Sequence, residues 1–297
     1  MRDLGLTLAG GGNRTLYNLA LVERWAARLE PRLAAVAGVS AGACMLCLHF
    51  SGRSKSSREF WHLRRRPVSR NLDPGRLLRG QPIAPHGEVY RDTLLHAFED
   101  PEALERLRAT PFPILVLAAA PPSPMPPGLG TVLGFSAYAL EKSLKHGLLH
   151  PTYGRRLGFR PVVVDARTCE SAEELAALIL ASSSTPPFTP IGRFRGQALI
   201  DGGVIDNVPA WIVEETPGIE RNLVLLSRPY PDEVLGRRGP RLYLAPTEKV
   251  PCECWDYTRS DLAEATYAMG VREASHHEPI LGRFLGRGRR ADRSASA

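Results

Sequence analysis

"LAAVAGVSAGACMLCLHF", Leu33 to Phe50, decides how this chain folds. An apolar run of strand character ends in the turn Gly38-Val39-Ser40-Ala41-Gly42, and a second apolar run of helical length follows. Just upstream, "LTLAGGGNRTLYNLALVERW" (Leu6 to Trp25) repeats the arrangement. A short strand over Leu4 to Ala9 meets three glycines, Gly10 to Gly12, and helix-spaced apolar residues run from Arg14 to Leu29. Strand, glycine turn and helix twice in succession predict an α/β fold with parallel strands. If the two strands are neighbours, both turns lie side by side.

Further strands are predicted over Pro111–Ala120, Arg160–Ala166, Gln197–Asp201 and Asn222–Pro229. Helices are expected over Thr131–Leu149 and over Ser171–Ser184, the latter opened by the capping pair Ser171 and Glu174. "PPSPMPPGLGTVLGF" (Pro121 to Phe135) reads as a flap over a pocket or as a surface loop, since its prolines break regular structure. Its glycines lack dinucleotide-binding spacing. "RSKSSREFWHLRRRPVSR" (Arg53 to Arg70) reads as a solvated, peripheral basic helix, with a patch for anionic lipid heads as the next reading. No repeat and no dividing linker is visible. A single catalytic domain over 1–285 is expected, with 53–149 as its variable or lid region and 286–297 as a disordered tail.

The 297 residues, 43% of them apolar, suffice for a substantial core. Charged residues or prolines interrupt every apolar run before it reaches membrane-spanning length, and the N-terminal stretch is too short for a secretory signal. A cytoplasmic protein is expected, with peripheral membrane contact as an extension. The net charge of +7 is carried mainly by arginine. An anionic membrane surface or nucleic acid is a conceivable partner, the latter without a recognised motif, but a bias toward arginine on solvated faces is the favoured reading for most positions and charge alone settles little. The five cysteines form no disulfide framework. Zinc at "CMLC" (Cys44 to Cys47) or "CEC" (Cys252 to Cys254) is the weaker reading, because the first pair sits in an apolar helical stretch. No metal and no cofactor are expected.

Three stretches carry chemistry. Gly38 to Gly42 fits G-x-S-x-G, in which a serine sits on a strained strand-to-helix turn and flanking glycines remove side chains that would clash. The helix that follows favours negative charge at the reacting centre. The bland reading makes Ser40 a turn residue or N-cap. A serine nucleophile needs a base and donors for the oxyanion. Gly10, Gly11 and Gly12 supply amides at a neighbouring turn, and the run lacks the Gly-Lys-Ser/Thr ending of a phosphate loop. Arg14 steadies that loop or binds an anionic head group, unless it is an ordinary surface arginine. "LIDGGVIDNVP" (Leu199 to Pro209) delivers Asp201 from an apolar strand into the turn Gly202-Gly203. Alone, it reads equally as an Asp-Gly turn satisfying its own backbone.

Taken in order, "GGGNR", "GVSAG" and "DGGVIDNVP", with "ILASSSTPPFTP" (Ile179 to Pro190) ahead of the aspartate, resemble the patatin-like phospholipase family over roughly residues 4 to 215. The resemblance implies a three-layer α/β/α sandwich with a mainly parallel sheet. It implies Ser40 as nucleophile, Asp201 as its dyad partner without a histidine, and Gly10 to Gly12 as the oxyanion hole. The implied substrate is a lipid ester, cleaved without a metal. One departure stands out: that family's loop commonly continues Arg/Lys-Gly, whereas Thr15 follows Arg14 here, and a β-branched residue alters how the loop meets its helix.

Two rivals are enzymes. A Ser-Asp-His hydrolase would draw on His276 or His277, although "SHHEP" reads as a surface turn and such folds lay down several strands before their serine. An acyl-carrier transacylase would need a downstream histidine and an arginine that cannot be located. A third rival is a non-catalytic lipid-binding protein on the same scaffold.

Overall fold

The computed structural model describes residues 2–145 and 147–286. Its strands are β1 (Leu4–Leu8), β2 (Leu33–Val39), β3 (Ile114–Ala120), β4 (Arg160–Asp165), β5 (Gly192–Phe194), β6 (Gln197–Asp201), β7 (Arg221–Leu225), β8 (Gly236–Arg238) and β9 (Arg241–Leu244). The helices are α1 (Leu16–Leu29), α2 (Ala41–Phe50), α3 (Ser54–Arg65), α4 (Pro74–Leu77), α5 (His86–Phe98), α6 (Pro101–Arg108), α7 (Pro127–Leu144), α8 (Tyr153–Arg156), α9 (Ala172–Ser182), α10 (Ala210–Glu214) and α11 (Ser260–Gly286). The expected tail begins at the last residue of α11, and its remainder, 287–297, lies outside the described residues.

One sheet runs in the order β5-β6-β3-β2-β1-β7-β9-β8, with β4 also paired to β3. Its centre is parallel: β1 lies between β2 and β7, β2 pairs with β3, and β7 with β9. The antiparallel strands β4, β5, β6 and β8 sit around that centre.

Alternate residues of the central strands feed two cores, as the period of two requires. Leu4, Leu6, Leu8, Ile114 and Val116 pack among α1, α2, α5, α9 and α11, where Leu21, Leu46, Phe98, Leu178 and Leu281 are fully or almost fully buried. Ala35, Ala37, Val39, Leu117 and Ala119 face the opposite way, onto Phe159, Ile205, Ile212 and Val213, with Phe135 of α7 packed against them. The result is a sheet between two helical layers, the three-layer α/β/α architecture.

Three local expectations need correction. Helix α7 begins at Pro127, so the proline cluster opens a helix instead of forming a flap over the following glycines; proline fits the first helical turn because its missing N–H has no partner there. Helix α3 is not simply solvated: Trp61 and Arg65 are buried, and Arg65 Nε and Nη2 donate to the carbonyls of Tyr257 and Asp256 at 3.0 and 2.8 Å. The segment Ser275–Pro279 lies inside α11 and is not a surface turn. Among the described residues no helix is long and apolar enough to cross a membrane.

Candidate active site

Strand β4 occupies one edge of β3 from Leu115 to Ala120, so β2 and β6 must share the other. Strand β2 uses that edge up to Val39, opposite Leu117, and β6 takes it over with Asp201 opposite Ala118. The two strands therefore meet end to end, and their last residues deliver Ser40 and Asp201 to one place. Where β2 ends, the Ser182 hydroxyl ties Ser40 to β3: its Oγ donates to Leu117 O at 2.6 Å and accepts from Ser40 N–H at 2.8 Å. Asp201 N–H donates to Ser184 O at 3.0 Å.

Ser40 has φ 55° and ψ −134°, the left-handed half of backbone space that a side chain occupies only under strain. Close approaches hold it there. A Cβ on Gly38 would lie 2.6 Å from Ala43 N, and one on Gly42 would lie 2.6 Å from Ala9 O. Ser40 O begins α2 by accepting from Ala43 and Cys44 N–H.

Ser40 and Asp201 are 5% and 6% exposed and line the same cavity, of ≈ 410 Å³. Burial pushes the Asp201 carboxyl up to about 6, against the opposing pull of the Ser40 hydroxyl and of Gly203 N–H, which donates to Oδ1 at 2.7 Å. The Ser40 hydroxyl is near enough to oppose that upward shift, but no hydrogen bond is formed between it and the Asp201 carboxylate. Gly202 is pressed against β3, where a Cβ would stand 2.3 Å from Leu117 O.

The glycine loop divides its labour. Gly10 N–H donates to Asn207 O at 3.1 Å, and Gly10 O accepts from Ser227 Oγ at 2.6 Å, so its amide is occupied. Gly11 and Gly12 line the cavity, and neither N–H donates to an acceptor among the described residues. Gly12 has φ +55° and a Cβ there would lie 2.2 Å from Cys254 O, so both its conformation and its neighbour demand glycine. Arg14 Nε donates to Gly11 O at 3.3 Å while the residue also lines the cavity, so it joins the loop to the site. Thr15 is buried and donates from Oγ1 to Gly12 O at 2.8 Å, which accommodates the β-branched residue inside the turn.

Two unlike spaces meet at Ser40. One is a narrow apolar cavity of ≈ 70 Å³ running past Leu16, Met45, Leu48, Trp61, Tyr90 and Tyr257. The other is the wider cavity shared with Asp201, which carries Arg14, Lys142 and Arg228. Burial, then Arg228 and Arg14, push the Lys142 ammonium below its usual value. Cys254 and Trp255 border both spaces, with Trp255 stacked on Phe188 at 5.1 Å.

Sequence reading missed Ser182, Asn207, Ser227, Lys142, Arg228 and the Cys254–Trp255 segment. Ser182 and Asn207 lay within stretches already singled out for chemistry, and Cys254 within the weaker metal reading; Lys142, Ser227 and Arg228 lay in predicted elements with nothing to mark them as part of a site. No histidine lines either cavity. His277 is buried elsewhere, its Nε2 2.9 Å from Tyr17 Oη. Cys44 and Cys47 are buried in the core, and burial raises the Cys254 thiol to about 11. Among the described residues, no group of three or more His, Cys, Asp or Glu side chains gathers as a metal site.

The sequence profile of the patatin-like phospholipases matches residues 6–213, and the chain belongs to that family. The family is one of lipid acyl hydrolases, and its characteristic span includes both turns and the Asp201 strand. Among solved structures, VipD from Legionella pneumophila is similar at 12% identity and a TM-score of 0.44, over 93% of this chain and 67% of that one. No curated protein matches.

Proposed function

We propose that the protein is a serine hydrolase of lipid carboxylic esters, of the phospholipase A or lysophospholipase kind, acting through a Ser40–Asp201 dyad. The observation that carries this reading is the end-to-end meeting of β2 and β6, which puts both side chains on one cavity. The Ser40 hydroxyl attacks the ester carbonyl while Asp201 takes its proton. The oxyanion is stabilised by Gly11 and Gly12 N–H at the head of the glycine loop. Asp201 then returns the proton to the departing alcohol. Water attacks the acyl-serine, giving its proton to Asp201, and Ser40 leaves with that proton as the fatty acid is released. A carboxylate held near 6 by burial is a more competent base at neutral pH than an exposed one.

The division of space around Ser40 supports an amphiphilic ester: the apolar cavity suits the acyl chain and the cationic one a polar head. Labelling with a fluorophosphonate probe tests the reading, together with release of fatty acid from phospholipids, lysophospholipids and short-chain esters. Both are expected in the native protein and absent in Ser40→Ala. Native protein that neither labels nor hydrolyses any of these would make it a binding protein on the same scaffold.

A further inference from the structure

The apolar cavity at Ser40 has a definite length and a closed far end. It follows one face of α2, where Ala41, Met45 and Leu48 recur at helical spacing and all line it. At a rise of about 1.5 Å per residue, the path from Ala41 to Leu48 is about 10 Å long. Beyond Leu48 the chain turns back on itself. Leu48 O accepts from Arg53 N–H at 2.9 Å and from Ser51 Oγ at 3.1 Å, and Arg53 Nη1 pairs with Asp100 at 2.9 Å. Helix α3 therefore starts at the far end of the cavity, with Ser57 in its first turn. It returns toward the Ser40 end, where Arg65 meets the carbonyls of Asp256 and Tyr257 beside the Cys254–Trp255 segment.

Ser57 and Leu48 both line the cavity and are only 1% and 3% exposed, so the far end is shut. The volume leads to the same length by a separate route. One water-sized atom needs about 10–15 Å³ of such space, so ≈ 70 Å³ takes about five to seven carbons in file. Each methylene that finds an apolar wall adds to binding; one that meets the closed end must push packed side chains aside.

We propose that α2 and the first turn of α3 form a ruler for the acyl chain, with Leu48 and Ser57 as its stop. Counted from a carbonyl held at Ser40, the slot accepts the chain of hexanoate or octanoate and excludes most of a palmitate chain. The substrate is then an ester of a medium-chain acid. That an acyl group occupies the slot rests on the hydrolase reading; the length of the slot does not.

The test measures kcat/KM on p-nitrophenyl esters from butyrate to palmitate, with detergent held constant. In the native protein kcat/KM should climb about threefold per added methylene as far as octanoate. It should be at least about tenfold lower for palmitate than for octanoate. Leu48→Ala, which deepens the slot, should raise the laurate-to-octanoate ratio about tenfold. Ser57→Leu, which fills it, should lower the octanoate-to-butyrate ratio about tenfold. Ser57 Oγ has no hydrogen-bond partner among the described residues, so the second change breaks no bond. The thermal midpoint checks that both variants fold. Calorimetry of free octanoate and palmitate with Ser40→Ala protein reads the slot without turnover, and octanoate should bind at least about tenfold more tightly. A rate or an affinity that keeps rising to palmitate, or an optimum that neither folded variant moves, overturns the ruler. Protein that hydrolyses none of the esters yet prefers octanoate to palmitate in calorimetry would refute the hydrolase and spare the ruler. Hydrolysis indifferent to chain length would do the reverse.

Discussion

The two cavities that meet at Ser40 differ in nearly every physical respect. One is walled by Leu16, Met45, Leu48 and aromatic rings from the helical side of the sheet; the other carries Arg14, Lys142 and Arg228 beside a buried carboxylate. In the apolar cavity, burial of surface drives occupancy and the gain grows with each methylene. In the cationic cavity, desolvated charge drives it, and the gain depends on what the ligand carries. If Ser40 acts on an ester as proposed, the contrast would let the site sort it by its two ends separately, with the reacting atoms at the border.

The sharpest way to break the comparison is at the border itself. Ser40→Ala should lower ester hydrolysis by about 10⁴-fold or more in steady-state assays while ligand still enters both spaces. Asp201→Asn should lower it by about 10³-fold or more, since the general base is gone. The same variant should be more stable than the native protein. The carboxyl sits near 6 when folded against an ordinary 3.8, so its cost to folding is absent below about pH 4, grows as pH rises, and is complete above about pH 6. A gain of up to about 3 kcal/mol at pH 8, measured by urea unfolding, follows from a shift of roughly two units. An Asn variant that is equally stable at pH 8 would mean the carboxylate is well solvated. The native enzyme should correspondingly lose kcat/KM about tenfold for each unit below pH 6, and a flat acid limb would remove Asp201 as base.

Smaller effects sharpen the contrast between the two ends. Lys142→Gln with Arg228→Gln should raise KM about tenfold for esters with an anionic head and leave uncharged short-chain esters nearly unchanged. Met45→Trp should act on the other end alone, lowering the preference for long over short acyl chains by a few-fold, as side-by-side rates would show.

The sequence made the two strand–glycine–helix units readable, because glycine turns and apolar periodicity are local signals. The α/β class with parallel strands followed from them, and local periodicity located β1–β4, β6, β7, α1, α2 and α9, whereas β5, β8, β9, α4–α6, α8, α10 and α11 were not predicted. The end-to-end meeting of β2 and β6 was not readable, because it depends on which edge of β3 each strand chooses. The hydroxyl of Ser182, which ties Ser40 to β3, looked like one serine among three in "ASSST". Basic residues of α3 looked solvated because composition does not say which arginine is stacked inward; Arg65 lies 4.0 Å from the Trp61 ring centre and is 2% exposed. The start of α7 at Pro127 was hidden by the double meaning of proline, which breaks helices from within and opens them at the first turn.

The segment around Cys254 and Trp255 lies beyond the span that defines the family, which stops at residue 213. It nevertheless forms part of the roof of both cavities and ties down the glycine loop through Asn13, whose N–H reaches Cys254 O and whose Nδ2 reaches Asp256 O. Part of the wall of both cavities thus lies outside the stretch that carries the signature motifs. Under the proposed function, two proteins with the same signature motifs could differ in what they accept through this segment, provided that its replacement keeps the two hydrogen bonds that steady the glycine loop.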